Sequence, residues 1–190
     1  MTHSRVTGVI LAGGAGRRMG GQDKGLIPFR GRPMVAWVID ALVSQVDEIL
    51  IVANRNLEAY ARFGHRVVGD QRPDFPGPLA GFEAALSHAT HPTILTCPTD
   101  APLLPTTYAS RMGSAAPAVA SWGGFWQPVF CHLPVSVLES LHQALDSGER
   151  KAMRWLATLN PQIVKLDELA LQLRDADSPG DLAALDDGPH

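Results

Sequence analysis

The sequence predicts an α/β protein built around a mainly parallel sheet, and three observations support that class. Short apolar runs with the character of strands alternate with helix-like runs along the 190 residues, and this alternation is typical of βαβ units. A Gly-rich segment follows the first apolar run directly, and an Asp follows a later one. With 45% hydrophobic and 18% charged residues, the composition is typical of a globular protein, and the length fits one domain over residues 1–190.

Six segments are predicted strands, because each is a short run of strand-forming residues bounded by turn formers. They cover residues 6–11, 48–53, 66–69, 93–97, 117–121 and 128–131. The last of them is the candidate for an antiparallel strand.

Five longer segments have the apolar spacing of helices. They cover residues 33–45, 56–63, 79–90, 105–112 and 134–147. In the first of these, Val35, Val38 and Leu42 share one face. A short final helix is expected to begin at Ser178, a capping residue that is followed by proline.

Composition and charge exclude several classes of protein. The net charge of −3 argues against a general nucleic-acid or membrane-surface binder. No apolar run reaches the roughly 18 residues of a membrane helix, and the run before the glycines is too short for a signal peptide, so we expect a cytoplasmic protein. Cys97 and Cys131 lie far apart in the sequence and form no Cys-x-x-Cys motif, which suits reduced thiols. We interpret His88 and His91 as a solvated helix end rather than metal ligands.

The segment from Leu11 to Gly25 has the composition of a phosphate-binding loop. It reads Leu11-Ala-Gly-Gly-Ala-Gly-Arg-Arg-Met-Gly-Gly-Gln-Asp-Lys-Gly25, with five glycines among its first eleven residues. Glycines allow backbone N–H groups to approach an anion closely, while Arg17, Arg18 and Lys24 add positive charge. A nucleotide is the expected ligand, and the alternative is a turn that only joins strand to helix.

Two common phosphate-binding motifs do not fit this loop. A P-loop needs Ser or Thr after its lysine, but Lys24 is followed by Gly25. The dinucleotide fingerprint G-x-G-x-x-G, started at Gly14, needs a glycine where Met19 stands. The sequence therefore excludes a P-loop and disfavours a Rossmann dehydrogenase.

Two acidic residues follow predicted strands directly. Asp100 lies between two prolines after the strand at 93–97, and Asp70 closes the strand at 66–69. Ligands of open α/β sheets bind beyond the carboxyl ends of the strands, so we expect both residues at the active edge, with Asp100 as a ligand of Mg²⁺. Two simpler interpretations stay open: Asp100 could cap the next helix, and Asp70 could form a turn.

Glycines for phosphate, cations for developing charge and a carboxylate for magnesium are the components of phosphoryl or nucleotidyl transfer. We take Lys24, Arg18 and Asp100 as candidate catalytic residues, with Arg17 as an alternative or addition to Arg18. The sequence has no Ser-His-Asp set at convincing spacing. None is needed if a phosphate of a second substrate is the attacking group.

Three motifs together resemble those of the molybdenum cofactor guanylyltransferases. They are Leu11-Ala-Gly-Gly with Arg18-Met-Gly-Gly-Gln-Asp-Lys-Gly-Leu26, then Gly77-Pro-Leu-Ala-Gly81, then Cys97-Pro-Thr-Asp-Ala-Pro102. The resemblance covers nearly the whole chain, and it implies a Rossmann-like three-layer α/β/α sandwich of the nucleotide-diphospho-sugar transferase type. It also implies transfer of GMP from GTP to the terminal phosphate of the molybdopterin form of molybdenum cofactor, with release of pyrophosphate.

The resemblance assigns the nucleotide site to particular positions of this sequence. The implied residues are Leu11, Ala12, Gly13, Gly14 and Lys24 for the nucleotide and its phosphates, Asp70 and Asn54 for base and ribose, and Asp100 for magnesium. The segment from Gly77 to Gly81 would lie beside the base. Related enzymes that attach CMP usually differ in this segment and in the first loop, so both segments favour guanine.

The C-terminal segment departs from the family's pattern, which resembles Asn-x-Asn-Thr-Pro at this place. Asp175 and Asp177 replace the two amides, and their charge is expected to weaken contact with a pterin phosphate unless a cation offsets it. Candidates for the pterin side are the aromatic segment 122–128, which could stack on a planar ring, and the basic pair Arg150-Lys151. Core aromatics and a solvated helix start are the alternatives.

The implied partners are GTP and molybdopterin cofactor as substrates, with Mg²⁺ as cofactor. Proteins that deliver the cofactor and molybdoenzymes that receive the product are further candidate partners. Three other functions stay open: a cytidylyltransferase for the same cofactor, a sugar-1-phosphate nucleotidyltransferase, and a nucleotide-binding regulatory protein without turnover. The presence of Lys24 and Asp100 counts against the last of these.

Overall fold

The computed structural model describes residues 5–12, 21–70, 72, 77–176 and 178–186. In chain order the elements are β1 (Val6–Leu11), β2 (Pro28–Phe29), β3 (Arg32–Pro33), α1 (Met34–Leu42), β4 (Glu48–Val52), α2 (Leu57–Ala61), β5 (Arg66–Val68), α3 (Pro78–His88), β6 (Thr93–Pro98), α4 (Tyr108–Met112), β7 (Ala118–Trp122), β8 (Phe125–Pro134), α5 (Leu138–Asp146), α6 (Ala152–Thr158), β9 (Gln162–Lys165) and α7 (Pro179–Asp186).

Seven strands form one sheet in the order β5-β4-β1-β6-β8-β7-β9. The strands β5, β4, β1 and β6 are parallel to one another, and β7 is parallel to β9. Only β8 among these seven runs antiparallel, to both β6 and β7. The mainly parallel α/β class and the antiparallel strand are therefore confirmed, and β2 and β3 form a separate small hairpin.

Helices cover both faces of the sheet. On one face, α1 packs with Tyr60 of α2 and Tyr108 of α4, and on the other face α3, α5 and α6 pack together. Neighbouring residues of β1 face opposite cores, Ile10 the first and Val9 the second. Strands that are buried on both faces have apolar residues at consecutive positions, which is why these segments are recognisable in the sequence. The three-layer sandwich is confirmed.

The structure corrects several predicted boundaries. The strand predicted at 128–131 extends over Phe125–Pro134, because Gly123 and Gly124 take positive φ values of 58° and 81° and form a tight turn straight out of β7. The helix predicted at 105–112 begins only at Tyr108. The strand β9, the helix α6 and the small hairpin were not predicted.

The predicted start of the last helix at Ser178 is confirmed. Ser178 Oγ accepts the backbone N–H of Asp181 at 3.2 Å, as a helix cap does. Cys97 and Cys131 are buried free thiols, and burial raises the pKa of each well above its ordinary value. Within the described part of the chain, no helix has the length and apolarity to span a membrane.

Candidate active site

A cavity of about 210 Å³ opens at the carboxyl edge of the sheet. Its walls come from the ends of β1, β4 and β6, the first turn of α3, the strands β7 and β8, and the segment before α7. Open α/β sheets bind their ligands at this edge. Along the strand order β4-β1-β6-β8-β7 the cavity has two sides. We call the side next to α3 the N-terminal side and the side next to Trp122 the C-terminal side.

Lys24 and Asp100 form an ion pair in the cavity. Lys24 Nζ lies 2.9 Å from Asp100 Oδ2, and the two side chains are only 18% and 12% exposed. The backbone fixes Asp100 closely, because Thr99 N donates to the carbonyl of Leu11 at 3.2 Å and so extends the sheet past the end of β6. Because α4 begins at Tyr108, Asp100 does not cap it, and the capping interpretation is wrong.

The surroundings of Asp100 disfavour the ionised form of its carboxyl group. Burial raises the pKa of Asp100, the Lys24 ammonium opposes that rise, and the carboxylate of Asp175 adds to it. Asp175 also lines the cavity, and the next residue, Ala176, donates its N–H to the Asp100 carbonyl at 2.8 Å. A cation close to Asp100 would therefore stabilise its ionised carboxylate.

The donor set fits a magnesium ion that is shared with phosphates. Mg²⁺ is usually held by one or two carboxylates together with water and substrate phosphate oxygens, rather than by a protein cage. In the part of the chain that the structure describes, no group of three or more His, Cys, Asp or Glu residues could enclose a metal. Asp100 would supply such a carboxylate, and Asp175 lies at the same rim.

A buried network positions Lys24. The neighbouring Asp23 accepts hydrogen bonds from Tyr60 Oη at 2.6 Å and from Asn56 Nδ2 at 3.0 Å. Arg55 donates to the carbonyls of residues 21 and 22 at 2.9 and 3.0 Å. Burial raises the pKa of Tyr60, so its phenol stays protonated and donates. The residues of α2 and the turn before it thus hold the loop that carries Lys24.

Sequence reasoning missed this network. It gave Asp23 no role of its own, whereas the structure makes it the anchor of the loop. The partner Tyr60 is 37 residues away in sequence, and no local pattern connects the two. The adjacency of Asp23 to Lys24 was the one available signal.

Replacing Gly25 by Ala tests how tightly the Lys24 loop is held. A Cβ at this position would lie 2.5 Å from Tyr60 Oη and 2.9 Å from Thr99 Cβ, so the loop must move. We expect the free energy of unfolding to fall by about 1–3 kcal/mol and kcat to fall about tenfold or more, because Lys24 is displaced. The matched control is Gly180→Ala, whose Cβ meets Ser178 Oγ at an ordinary 3.7 Å. Wild-type kcat and stability in Gly25→Ala would contradict the assignment.

Asp70 and Asn54 form a reciprocal pair past the ends of β5 and β4. Asn54 Nδ2 donates to the Asp70 carboxylate, and Asp70 N donates to Asn54 Oδ1 at 2.8 Å. Burial raises the pKa of Asp70, and the bond from Asn54 opposes the rise. Asp70 lines the cavity, whereas Asn54 supports Asp70 from outside the cavity wall. Among the described residues, the bonds of Asp70 run to Asn54, across to the neighbouring strand end.

The first turn of α3 closes the N-terminal side of the cavity. Gly77 is the N-cap residue, its φ of 144° is accessible chiefly to glycine, and among the described residues no side chain caps this helix end. The uncapped N–H groups of a helix N-terminus are hydrogen-bond donors for polar or anionic ligand groups. Gly81 keeps α3 close to β1, since a Cβ there would lie 3.2 Å from Leu11 Cδ2.

Backbone groups of Leu11 and Ala12 form hydrogen bonds that extend the sheet. The Leu11 carbonyl accepts from Thr99 N, and Ala12 N donates to the Val52 carbonyl at 2.7 Å. Both residues line the cavity as part of a fixed floor. The predicted site residues Gly13, Gly14, Arg17 and Arg18 lie outside the described residues, as does Asp177.

On the C-terminal side, the aromatic segment divides between the two faces of the sheet. Trp122 lines the cavity and packs edge-on against Phe130, with ring centroids 5.4 Å apart. Trp126 packs into the core on the opposite face. Arg150 donates to the carbonyls of Leu145 and Glu149 near the end of α5, and neither it nor Lys151 is part of the cavity lining that the structure describes. Of these pterin-site candidates, the structure brings Trp122 to the cavity, together with Gln127.

The mainly parallel sheet with helices on both faces is the nucleotide-diphospho-sugar transferase fold that the motif resemblance implies. A model of the MobA-like NTP transferase domain matches residues 8–163, which is most of the chain. The chain belongs to the MobA-like NTP transferase family.

Comparisons with individual proteins agree with this assignment. The molybdenum cofactor guanylyltransferase of Cupriavidus taiwanensis is 44% identical over 87% of this chain and 88% of its own length. The protein of the same name from Polynucleobacter asymbioticus is 40% identical over 95% and 96%. The crystal structure of molybdopterin-guanine dinucleotide biosynthesis protein A from Archaeoglobus fulgidus has a TM-score of 0.76 at 19% identity, covering 95% of this chain and 96% of that one, which supports the fold.

Proposed function

We propose that this protein transfers GMP from GTP to the terminal phosphate of the molybdopterin form of molybdenum cofactor, giving molybdopterin guanine dinucleotide and pyrophosphate. The observation that carries the proposal is the Lys24–Asp100 pair, 2.9 Å apart in a cavity at the carboxyl edge of the sheet. It occurs in a chain whose relatives at 38–45% identity bear the name molybdenum cofactor guanylyltransferase.

In this proposal GTP lies on the N-terminal side of the cavity. The first turn of α3 would supply backbone donors for the base, with Gly77 at its start. Asp70, held by Asn54, is placed to accept hydrogen bonds from ribose or base. The phosphates would then extend toward Lys24 and Asp100, where the cation and the carboxylate lie.

The proposed reaction needs no protein nucleophile. An oxygen of the acceptor phosphate attacks the α-phosphorus of GTP, and the bond from that phosphorus to the oxygen bridging to the β-phosphate breaks as pyrophosphate leaves. Among the described residues that line the cavity there is no Ser, Cys or His, and the one hydroxyl side chain is that of Thr99. Lys24 would stabilise the negative charge that grows on the departing pyrophosphate.

Magnesium belongs to the same proposal. Asp100 would hold Mg²⁺, with Asp175 near it at the rim. The ion would offset the phosphate charges that otherwise repel the attacking oxygen. The carboxylate of Asp100, paired with Lys24 at rest, is thus given a second partner when substrate is bound.

The acceptor would occupy the C-terminal side of the cavity. There Trp122 offers an aromatic surface and Gln127 an amide, a combination suited to a planar ring with polar edges. Cofactor-delivering proteins and molybdoenzymes stay predicted partners. We place the reaction in the cytoplasm, since the two buried free thiols accord with a reducing compartment.

The proposal is tested by product analysis with purified protein, Mg²⁺, GTP and molybdenum-loaded cofactor. We expect the guanine dinucleotide and pyrophosphate in equal amounts, and no dinucleotide when CTP replaces GTP. A chain that prefers CTP would show the cytidylyl reaction, and product with a sugar 1-phosphate but not with the cofactor would show a sugar-nucleotide enzyme. GTP binding without any product would show a regulatory protein.

A further inference from the structure

Glu83 of α3 has a buried carboxylate that takes no part in the proposed transfer reaction. The side chain of Glu83 is only 2% exposed, and Glu is rarely buried this fully unless it is paired. Arg72 Nε lies 2.9 and 3.1 Å from its two oxygens. His142 Nε2 of α5 lies 3.3 Å from Oε1. The charge therefore joins α3, α5 and the segment before α3.

Arg72 extends this contact to a second carboxylate. Its Nη1 donates to Asp146 Oδ1 at the end of α5, at 2.6 Å. The Arg72 side chain is 25% exposed, whereas that of Asp146 is 67% exposed. One guanidinium thus binds a buried carboxylate and a surface carboxylate through different nitrogens, which fixes its orientation better than one contact could.

The position of Arg72 in the chain gives the cluster its significance. Arg72 belongs to the segment that leads from Asp70, past the end of β5, to Gly77, where α3 begins. Both Asp70 and Gly77 line the cavity on its nucleotide side. The charge of Glu83 also reaches Asp70, whose pKa it helps to raise. Arg72 lies two residues after Asp70, and Glu83 lies on the helix that begins after Gly77, so their contact joins the two parts of the chain that line this side of the cavity.

We propose that Glu83 and Arg72 form a positioning pair that fixes Asp70 relative to the start of α3 for binding of the nucleotide. The pair acts through Asp70 and Gly77 and touches neither substrate. It sets the affinity for the nucleotide and leaves the transfer step itself unchanged. The identity of the nucleotide as GTP rests on the proposed function.

The first test is Glu83→Gln, which keeps the shape of the side chain and removes its charge. We expect the Kd for GTP, measured by calorimetry, to rise about tenfold, the size of effect that the loss of a hydrogen bond to a charged group produces. The KM for GTP should rise with it, while kcat and the KM for the cofactor stay within about twofold of wild type. A fall in kcat with an unchanged Kd would overturn the proposal.

Two further variants keep the test decisive if Glu83→Gln folds poorly. Arg72→Gln changes a partly exposed residue and should raise the Kd for GTP by a similar factor. The double variant Arg72→Gln with Glu83→Gln should bind no more weakly than the weaker single variant, because residues that act through one contact are not additive. Additive losses would show independent effects and overturn the pairing.

The control is Glu168→Gln, which removes a similar charge from the surface pair that Glu168 forms with Arg111. Neither residue lines the cavity described here, so the Kd for GTP should equal that of wild type. Wild-type affinity in the Glu83 and Arg72 variants as well would refute the positioning role alone. Failure of the wild-type protein to bind GTP would instead refute the proposed function.

Discussion

Replacing Asp100 by Asn is expected to lower kcat for guanylyl transfer about 10²- to 10³-fold, the range seen when one charge-stabilising group is lost from an active site. Asn has nearly the same shape, so the loss would come from the missing charge. An amide at this position would be a poorer ligand for Mg²⁺ than the carboxylate. It would also form no ion pair with the Lys24 ammonium, which lies 2.9 Å from Asp100 in the wild type.

The same substitution has the opposite effect on stability. Because burial raises the pKa of Asp100, the ionised carboxyl group destabilises the folded state relative to the neutral one at pH 7, where the unfolded chain is fully ionised. We therefore expect Tm to equal or exceed that of wild type. Asp40→Asn, at an exposed surface pair with Arg32, is the control and should change neither property. Wild-type kcat in Asp100→Asn would refute the site.

Replacing Lys24 by Met is the second large expected effect, again a fall in kcat of about 10²- to 10³-fold. Met keeps much of the length of the side chain but supplies no charge for the departing pyrophosphate. Its removal also takes away the group that lowers the pKa of Asp100, so Asp100 would protonate more readily. The loss should thus fall on both members of the pair.

This coupling gives the Lys24 prediction a sharper form. The double variant of Lys24→Met with Asp100→Asn should be about as slow as the slower single variant, since groups that act as a unit are not additive. Lys165→Met, on the exposed side of β9, is the control for removal of a lysine charge. The rate of pyrophosphate release under saturating GTP is measured for the two single variants, the double variant and the control. An unchanged rate in Lys24→Met would contradict the mechanism.

Local periodicity was sufficient to predict the central strands. Consecutive apolar residues in β1, β4 and β6 are buried on both faces, so these strands stand out in the sequence. By contrast β9 was missed, because it is a short strand at the edge of the sheet with mostly exposed residues. Its pairing with β7 depends on tertiary contacts that a local pattern does not contain.

The candidate site divides in the same way. Asp70 and Asp100 were predictable because each follows a strand, and the carboxyl ends of parallel strands meet at one edge. The supporting contacts were not, since Asp23 meets Tyr60 and Arg72 meets Asp146 only after the chain has folded; their separations are 37 and 74 residues. The candidate site residues follow from topology, whereas the residues that hold them follow from packing.

The most direct test of nucleotidyl transfer follows the phosphorus atoms of GTP. GTP labelled at the α-phosphate and GTP labelled at the γ-phosphate are incubated separately with the protein, Mg²⁺ and molybdenum-loaded cofactor. We predict that the α-label appears in the guanine dinucleotide and that the γ-label appears in pyrophosphate. Transfer of the γ-label to the cofactor, or its release as inorganic phosphate without dinucleotide, would contradict the account.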